Sequence, residues 1–545
     1  MCCFKKEGLE ARGWGLKEFK AIFFLISFLL FPSPQSLIPV VHAQESRPFL
    51  TDKDQFNYAI FLYKQRHYTV AAREFGRVIE YFPESPLIPK AHYMIGDAYL
   101  NASMYKEAED QLQQFMRNFP DNELVTETSL KLEIARAKLK EAELFSAPKL
   151  PIVKAQPCRG MTCHAPAEPT APMRAVQVAL FEGRDYGEVE HELDALKVAG
   201  VDTIILRVFH NKDDRFYPFV KPKNRGIPAG VYFKTAESPV IEDILAPILE
   251  IAHRKGLKVF AWMTTRYADY GMEQRKDMAC KAYDFDTKEI VACKGLDLFN
   301  ANAVHHLERL FQDLAAYPID GILFQDDLML KHNEGFGRYS EALYKKDTGR
   351  KLTPSGLYGN EEIPQSAILS PQYTSEFWRW AAWKNKRLLQ VASRLKAVVK
   401  QKRPEAKFAI NLMYESVSNP PYAMAWLSQS LDEAVRQGFD YYAVMAYHRQ
   451  MQDELKKGPY EIQRLIEKMT EDAVRLVGEP QKVLIKFQTI DWNTSHPLPD
   501  REVTGLLNKI KETNNISIAV VPYRRDFPFG ELGSPPKVTQ LVQTH

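Results

Sequence analysis

Two adjacent carboxylates, Asp326 and Asp327, close the apolar run Gly321-Ile-Leu-Phe-Gln325. Apolar and aromatic residues of this kind suit a strand buried on both faces, as in a parallel sheet wrapped by helices. Acids placed where such a strand stops sit on the rim of a core, half out of water. A single Asp there reads equally well as a helix cap. A pair closing one strand of a repeating strand–helix series points instead to proton transfer, with one carboxyl to donate and the other to orient. Adjacent residues on a strand face opposite sides, so the two divide those tasks.

The elements that must carry the pair follow from hydrophobic periodicity. Strands are expected over Ala175–Phe181, Thr203–Phe209, Lys258–Thr264, Gly321–Gln325, Lys407–Met413, Tyr441–Tyr447, Lys482–Thr489 and Ile516–Pro522. Helices are expected between them, over Gly187–Ala199, Val240–Arg254, Asn302–Tyr317, Ser375–Lys402, Ala425–Gln437, Tyr460–Val477 and Asp500–Asn514. This alternation reads as an α/β fold, a (β/α)8 TIM-type barrel over residues 174–532, with its last helix reduced or absent. Residues 533–545 are left as a tail.

Active sites of such barrels lie at the C-terminal strand ends. Collecting those ends gathers Arg207 and His210 from the second strand, and Trp262, Thr265 and Arg266 from the third. Asn411, Tyr414 and Glu415 follow the fifth; Met445, Tyr447 and His448 the sixth; Gln488, Asp491 and Trp492 the seventh; Tyr523 and Arg524 the eighth. Carboxylates for protons, with flat aromatic faces for stacking, are what a sugar ring needs. Plainer readings stand beside this one. His210 and His448 suit structural roles, Arg207 suits neutralising a carboxylate, and Trp262 suits barrel core. No zinc-motif spacing, phosphate-cradling glycine loop or nucleophile-elbow serine is present, so no metal and no cofactor is expected.

Composition narrows the class. The 545 residues carry a net charge of +3, so acids and bases nearly balance and no nucleic-acid partner is expected. Residues 1–43 read as a signal peptide: Lys5, Lys6, Arg12, Lys17 and Lys20 flank the apolar Ala21–Phe31, and Val41-His42-Ala43 offers a cleavage site. That apolar stretch is shorter than the ~20 residues of a membrane span. Export to a periplasm is the expectation, with membrane contact only through this segment if it stays uncleaved. After it, cysteines remain as Cys158/Cys163 and Cys280/Cys293, two local disulfides in an oxidising compartment. Cys158-Arg-Gly-Met-Thr-Cys163-His164 also has the outline of a widened c-type haem attachment sequence, which stays open beside the disulfide.

Residues 48–146 are helical in pattern and repeat internally. Tyr68-x-x-Ala71-x-x-x-Phe75 with Phe82-Pro83 recurs as Tyr105-x-x-Ala108-x-x-x-Leu112 with Phe119-Pro120, an offset of 37 residues. This resembles the tetratricopeptide repeats of bacterial envelope assembly proteins, whose period is about 34 residues. The module is thus a small all-α repeat domain that binds a protein partner, or a spacer. Residues 147–173, rich in Pro, Ala and Lys, read as a linker.

Gly256-Leu-Lys-Val-Phe-Ala-Trp262-Met, Asp320-Gly-Ile-Leu-Phe-Gln-Asp326-Asp327, Asp440-Tyr-Tyr-Ala-Val-Met-Ala446, Lys486-Phe-Gln488-Thr-Ile-Asp-Trp492 and the aromatic ending near Tyr523 to Phe529 follow one another along the barrel. In these the chain resembles the C-terminal glycoside-hydrolase domain of the PgaB-type poly-β-1,6-N-acetylglucosamine deacetylases. The resemblance implies cleavage of a partly deacetylated exopolysaccharide of biofilms, centred on the Asp pair. Asp327 is favoured as the acid, with Glu415, Asp491 or the substrate's own acetamido group as its partner. Arg207, His210, Trp262, Arg266, Tyr414, Tyr447, His448, Gln488, Trp492 and Tyr523 would bind the glycan. The family's deacetylase module with its Asp-His-His metal site is replaced by the repeats, so no deacetylase activity is expected. Lys331 and His332 stand where the family carries a further acid. The alternative is a non-catalytic scaffold that holds polysaccharide for export.

Overall fold

The computed structural model describes residues 51–145, 171–272, 275–358, 373–513 and 515–533. The signal segment, the Cys158/Cys163 pair and nearly all of the linker and tail lie outside the described residues.

Eight parallel strands close a barrel: β1 (Arg174–Val178), β2 (Thr203–Arg207), β3 (Lys258–Met263), β4 (Gly321–Phe324), β5 (Lys407–Met413), β6 (Tyr441–Met445), β7 (Val483–Gln488) and β8 (Ser517–Val521). Each pairs with its sequence neighbours and β8 pairs with β1, so no edge is left open. The strands are buried almost throughout, as their apolar composition requires of strands covered on both faces. Gly321 opens β4 because nothing larger fits; a Cβ there would lie 2.6 Å from the Lys407 carbonyl oxygen.

The repeat domain comprises α1 (Asp52–Lys64), α2 (Tyr68–Tyr81), α3 (Ile88–Asn101), α4 (Tyr105–Asn118) and α5 (Val125–Phe145). The repeated alanines, Ala71 and Ala108, are fully buried, as close helix approach demands. The barrel is wrapped by α6 (Tyr186–Val198), α7 (Leu245–Arg254), α8 (Ala301–Leu314), α9 (Ser375–Lys402), α10 (Leu431–Arg436), α11 (Pro459–Val477) and α12 (Asp500–Thr513). The eighth helix is reduced to Gly530–Gly533.

The expected helix Ala425–Gln437 is in fact two, Pro420–Leu427 and α10, broken at Ser428. That residue takes a left-handed φ of 49° and is fully buried, its hydroxyl donating to the Leu330 carbonyl at 2.9 Å. Two of the insertions at the C-terminal end of the barrel bear on the acid pair. One is an antiparallel ribbon, Ala279–Tyr283 with Ile290–Leu296, stapled by the Cys280–Cys293 disulfide. The other is the segment after β4, which includes the helices Arg338–Thr348 and Pro354–Tyr358.

The repeats dock on the barrel's flank. Tyr58 packs its ring 5.1 Å from that of Trp378 on α9, and Arg77 donates to the Val417 carbonyl at 2.8 Å.

Candidate active site

The two acids of the opening motif have different surroundings. Asp327 is only 1% exposed. Its carboxylate accepts from the Thr265 amide at 2.9 and 3.0 Å, the Thr265 hydroxyl at 2.7 Å and the Tyr267 amide at 2.7 Å. It thereby folds the β3 loop across the end of β4. Burial pushes its proton affinity up, and the hydrogen bonds from Tyr267 and Thr265 hold it back. Asp326 keeps part of its surface in the barrel mouth, yet its Oδ1 is buried without a hydrogen-bond partner. Burial raises its pKa to about 6, against the pull of Lys486, with Asp327 adding to the rise.

Lys486 stands on β7, 1% exposed, and donates to Asn411 Oδ1 on β5 at 2.9 Å. Burial lowers its pKa to about 7, and Asp326 opposes the fall. Its Nζ lies 5.9 Å from the Tyr447 ring centroid, and Tyr447 meets Trp492 edge to face at 5.5 Å. Met413, Met445, Tyr447 and Val521 form an apolar collar there, against which Leu427 and Trp492 pack. A titrating carboxyl, a buried ammonium and aromatic walls thus share one mouth. Lys486 was not among the expected site residues. Its signal is a lysine inside the otherwise apolar Val483-Leu-Ile-Lys486-Phe.

Several residues expected to contact substrate are buried against partners within the chain. Arg207 is buried and pairs with Asp214 at 3.1 Å. His210 is fully buried, bonds Tyr232 Oη at 2.8 Å and stacks on Phe216, and burial with Arg207 lowers its pKa to about 3. Trp262, 1% exposed, gives its indole N–H to Gln325. Arg266 has no exposure and forms an ion pair with Glu334 at 3.1 Å. Gln488 is also buried, its Oε1 taking the Arg449 amide at 3.0 Å. Partners from the same loop hold Arg207 and His210, and partners from other loops draw Trp262, Arg266 and Gln488 inward.

Around the rim the same holds. Tyr414 donates to Glu454 at 2.9 Å and is buried, and Glu415 lies buried in the first turn of the short helix Glu415–Ser418. His448 pairs with Glu502 at 2.8 Å. Asp491 closes a turn by accepting from the Asn493 and Thr494 amides at 2.8 and 3.0 Å. Tyr523 stacks on Phe529 and meets Phe181, with burial and Glu192 raising its proton affinity. The charges acting on Asp326 are Lys486 and Asp327. Of the expected residues, Asp326, Asn411, Met445, Tyr447 and Trp492 are gathered at the mouth. His332, beyond the Asp pair, is wedged between Trp426 and Phe285. Among the described residues, no group of three or more His, Cys, Asp or Glu side chains is arranged to hold a metal ion.

The family described as hypothetical glycosyl hydrolase family 13 matches residues 190–520, more than half of the chain. The chain belongs to this family. It is therefore a glycosyl hydrolase, with a barrel whose mouth holds the acid pair. A tetratricopeptide repeat family matches residues 90–122. Among solved structures, the chain is similar to the PgaB (BpsB) glycoside hydrolase domain from Bordetella bronchiseptica. Identity is 19% and the TM-score 0.50, over 65% of this chain and 94% of that one. The catalytic domain of the Paenibacillus polymyxa beta-amylase aligns at 9% identity and a TM-score of 0.41, over 67% of this chain and 96% of that one. Likeness at these identities concerns the fold. No curated protein matches the sequence.

Proposed function

We propose that the chain is an exported glycosidase that cleaves a β-1,6-linked, partly deacetylated poly-N-acetylglucosamine within the polymer, with Asp326 as proton donor. The observation that carries this reading is the contrast within the acid pair. Asp327 is tied down by the β3 loop, while Asp326 keeps an unpartnered oxygen in the mouth and a pKa of about 6. An acid that must hold its proton until the glycosidic oxygen arrives needs such a raised value. Asp327 is then the positioning residue, and the preference for it as the acid is reversed. Lys486 keeps Asp326 from being held protonated too firmly to give its proton up. Tyr447 and Trp492 supply stacking surface.

The substrate class rests on the motif resemblance around Asp326, Trp262 and Trp492. Export is supported by the N-terminal segment and by the Cys280–Cys293 disulfide, which suits an oxidising compartment. The repeats are the natural dock for an envelope or secretion partner. Deacetylation is not part of the proposed activity.

The test is to incubate the full chain with partly deacetylated poly-N-acetylglucosamine and size the products. Shortened oligomers, lost with Asp326→Asn, support the proposal. Polymer that binds but stays full length sinks it in favour of a polysaccharide-holding scaffold.

A further inference from the structure

Gln177, in β1, is a buried polar side chain that the scaffold does not use. It has no exposure, and neither its Oε1 nor its Nε2 has a hydrogen-bond partner within the described chain. Burying an amide in that state works against folding, because its lost hydrogen bonds to water are not replaced.

Strand register fixes where it points. Lys486 reaches Asn411 through the barrel interior, so it faces inward. Lys486 pairs with Ala519, and Ala519 with Ala175. Paired residues share a face, so Ala175 faces inward, as does Gln177 two positions on. Moving along β1 from Ala175 to Gln177 moves towards the C-terminal mouth. The corresponding step on β8, from Ala519, reaches Val521, a member of the apolar collar that pairs with Gln488. Other inward polar side chains each find at least one partner in the chain itself. Trp262 bonds Gln325, Lys486 bonds Asn411, and Gln488 bonds the Ile490 carbonyl and the Arg449 amide. Two further atoms of the mouth share Gln177's condition, Asp326 Oδ1 and Trp492 Nε1.

We infer that Gln177 is a substrate-binding residue at the floor of the mouth, whose amide takes a hydrogen-bond donor and acceptor of the sugar ring lying over Asp326. This rests on the reading of the mouth as a glycan site. A primary amide offers an acceptor beside two donors, which fits either ring hydroxyls or an acetamido group.

Gln177→Met keeps length and volume while removing the amide. With the full chain and poly-N-acetylglucosamine oligomers, kcat/KM is expected to fall about tenfold, while the Tm of the free protein rises by about 2 °C. A purely structural amide gives the reverse, a lower Tm with kcat and KM unchanged, and that result overturns the inference. So does a raised Tm with unchanged kinetics. Fully acetylated and fully deacetylated oligomers separate the two sugar groups: a loss confined to the acetylated one assigns the acetamido group, and a loss on both assigns hydroxyls. Should the wild-type chain cleave no oligomer, the glycosidase reading falls while calorimetry still decides this point. Weaker oligomer binding by Gln177→Met supports it, equal binding overturns it, and no binding by either protein overturns it together with the glycan reading.

Discussion

Lys486 and Asp326 share the barrel mouth, and each governs the other's proton, although Lys486 gives its hydrogen bond to Asn411. Burial drives both towards neutrality, the carboxyl up to about 6 and the ammonium down to about 7. The charge of each slows the other's shift. Titration near neutrality is thus built into one pair of side chains on β7 and just beyond β4.

The acid pair separates by mutation. Asp326→Asn removes a proton donor, and the buried Oδ1 has no hydrogen bond to lose. Cleavage should fall by about 10²–10⁴-fold with Tm held or raised. Asp327→Asn disturbs acceptors of the Thr265 and Tyr267 amides, so Tm and activity should fall together, with about 2 kcal/mol of stability lost. Kinetics beside thermal melts of both variants decide it; the opposite pattern hands the acid role to Asp327.

The pH profile carries a sign. With Asp326 as acid, the alkaline limb of kcat/KM should lie near its pKa of about 6. Lys486→Met takes away the charge that lowers this value, so the limb should move to higher pH. Stability follows the same proton. The native Asp326 holds it from about pH 4 to 6 while the unfolded chain releases it, so this group's contribution declines as pH rises through 6. The depressed Lys486 contributes oppositely, losing stability as pH falls from the unfolded lysine range towards about 7. Melts of wild type and Asp326→Asn across pH 4–7 should differ in slope, and parallel curves would remove Asp326 from this account.

The barrel was legible because its strands are near-continuous apolar runs, each followed by an amphipathic helix. Lys407–Met413 and Ser375–Lys402 have the bounds their patterns predict. Other strands read long: Phe209, apolar and one residue beyond β2's neighbour Val208, pairs with Val231 in a ribbon of its own. The break at Ser428 was hidden because its cause, the Leu330 carbonyl, arrives from a distant loop. At the site, position along the chain marked the strand ends but not which way a side chain turns there. Arg266 and Trp262 turn inward to Glu334 and Gln325, whereas Tyr447 and Trp492 stay at the mouth. Lys486 was visible as a charge inside a strand, but its value depends on Asp326 from another one.

The disulfide ribbon should matter for the site. Arg266, between the two residues that donate amides to Asp327, reaches the Lys294 carbonyl at 3.1 Å and Cys280 Sγ at 3.5 Å. The Lys281 carbonyl takes the Gly335 amide at 2.8 Å, fastening the loop after β4. Gly295, with φ of +91°, lets the ribbon pass close to Arg266. Closing this short loop contributes about 3 kcal/mol to the ribbon. Treatment with dithiothreitol, or Cys280→Ser with Cys293→Ser, should lower activity and open the ribbon to proteolysis. Reduced protein with full activity and unchanged digestion would detach the ribbon from the site.

The repeat–barrel contact should depend on one buried cation more than on the exposed ion pair. Arg77 is 7% exposed, pairs with the fully buried Glu74 at 3.3 Å and donates to the Val417 carbonyl. Removing it strands that carbonyl and leaves Glu74 to Arg73 and Gln55, a loss of about 2 kcal/mol. The second ion link, Lys468 with Glu80, joins side chains that are half in solvent, where such pairs yield under about 1 kcal/mol. Arg77→Ala should therefore lower the melting transition of the full chain and make α1 and α2 sensitive to protease, while Lys468→Ala leaves both unchanged. Equal effects from the two variants would show that the interface is carried by apolar packing such as Tyr58 on Trp378 rather than by the buried arginine.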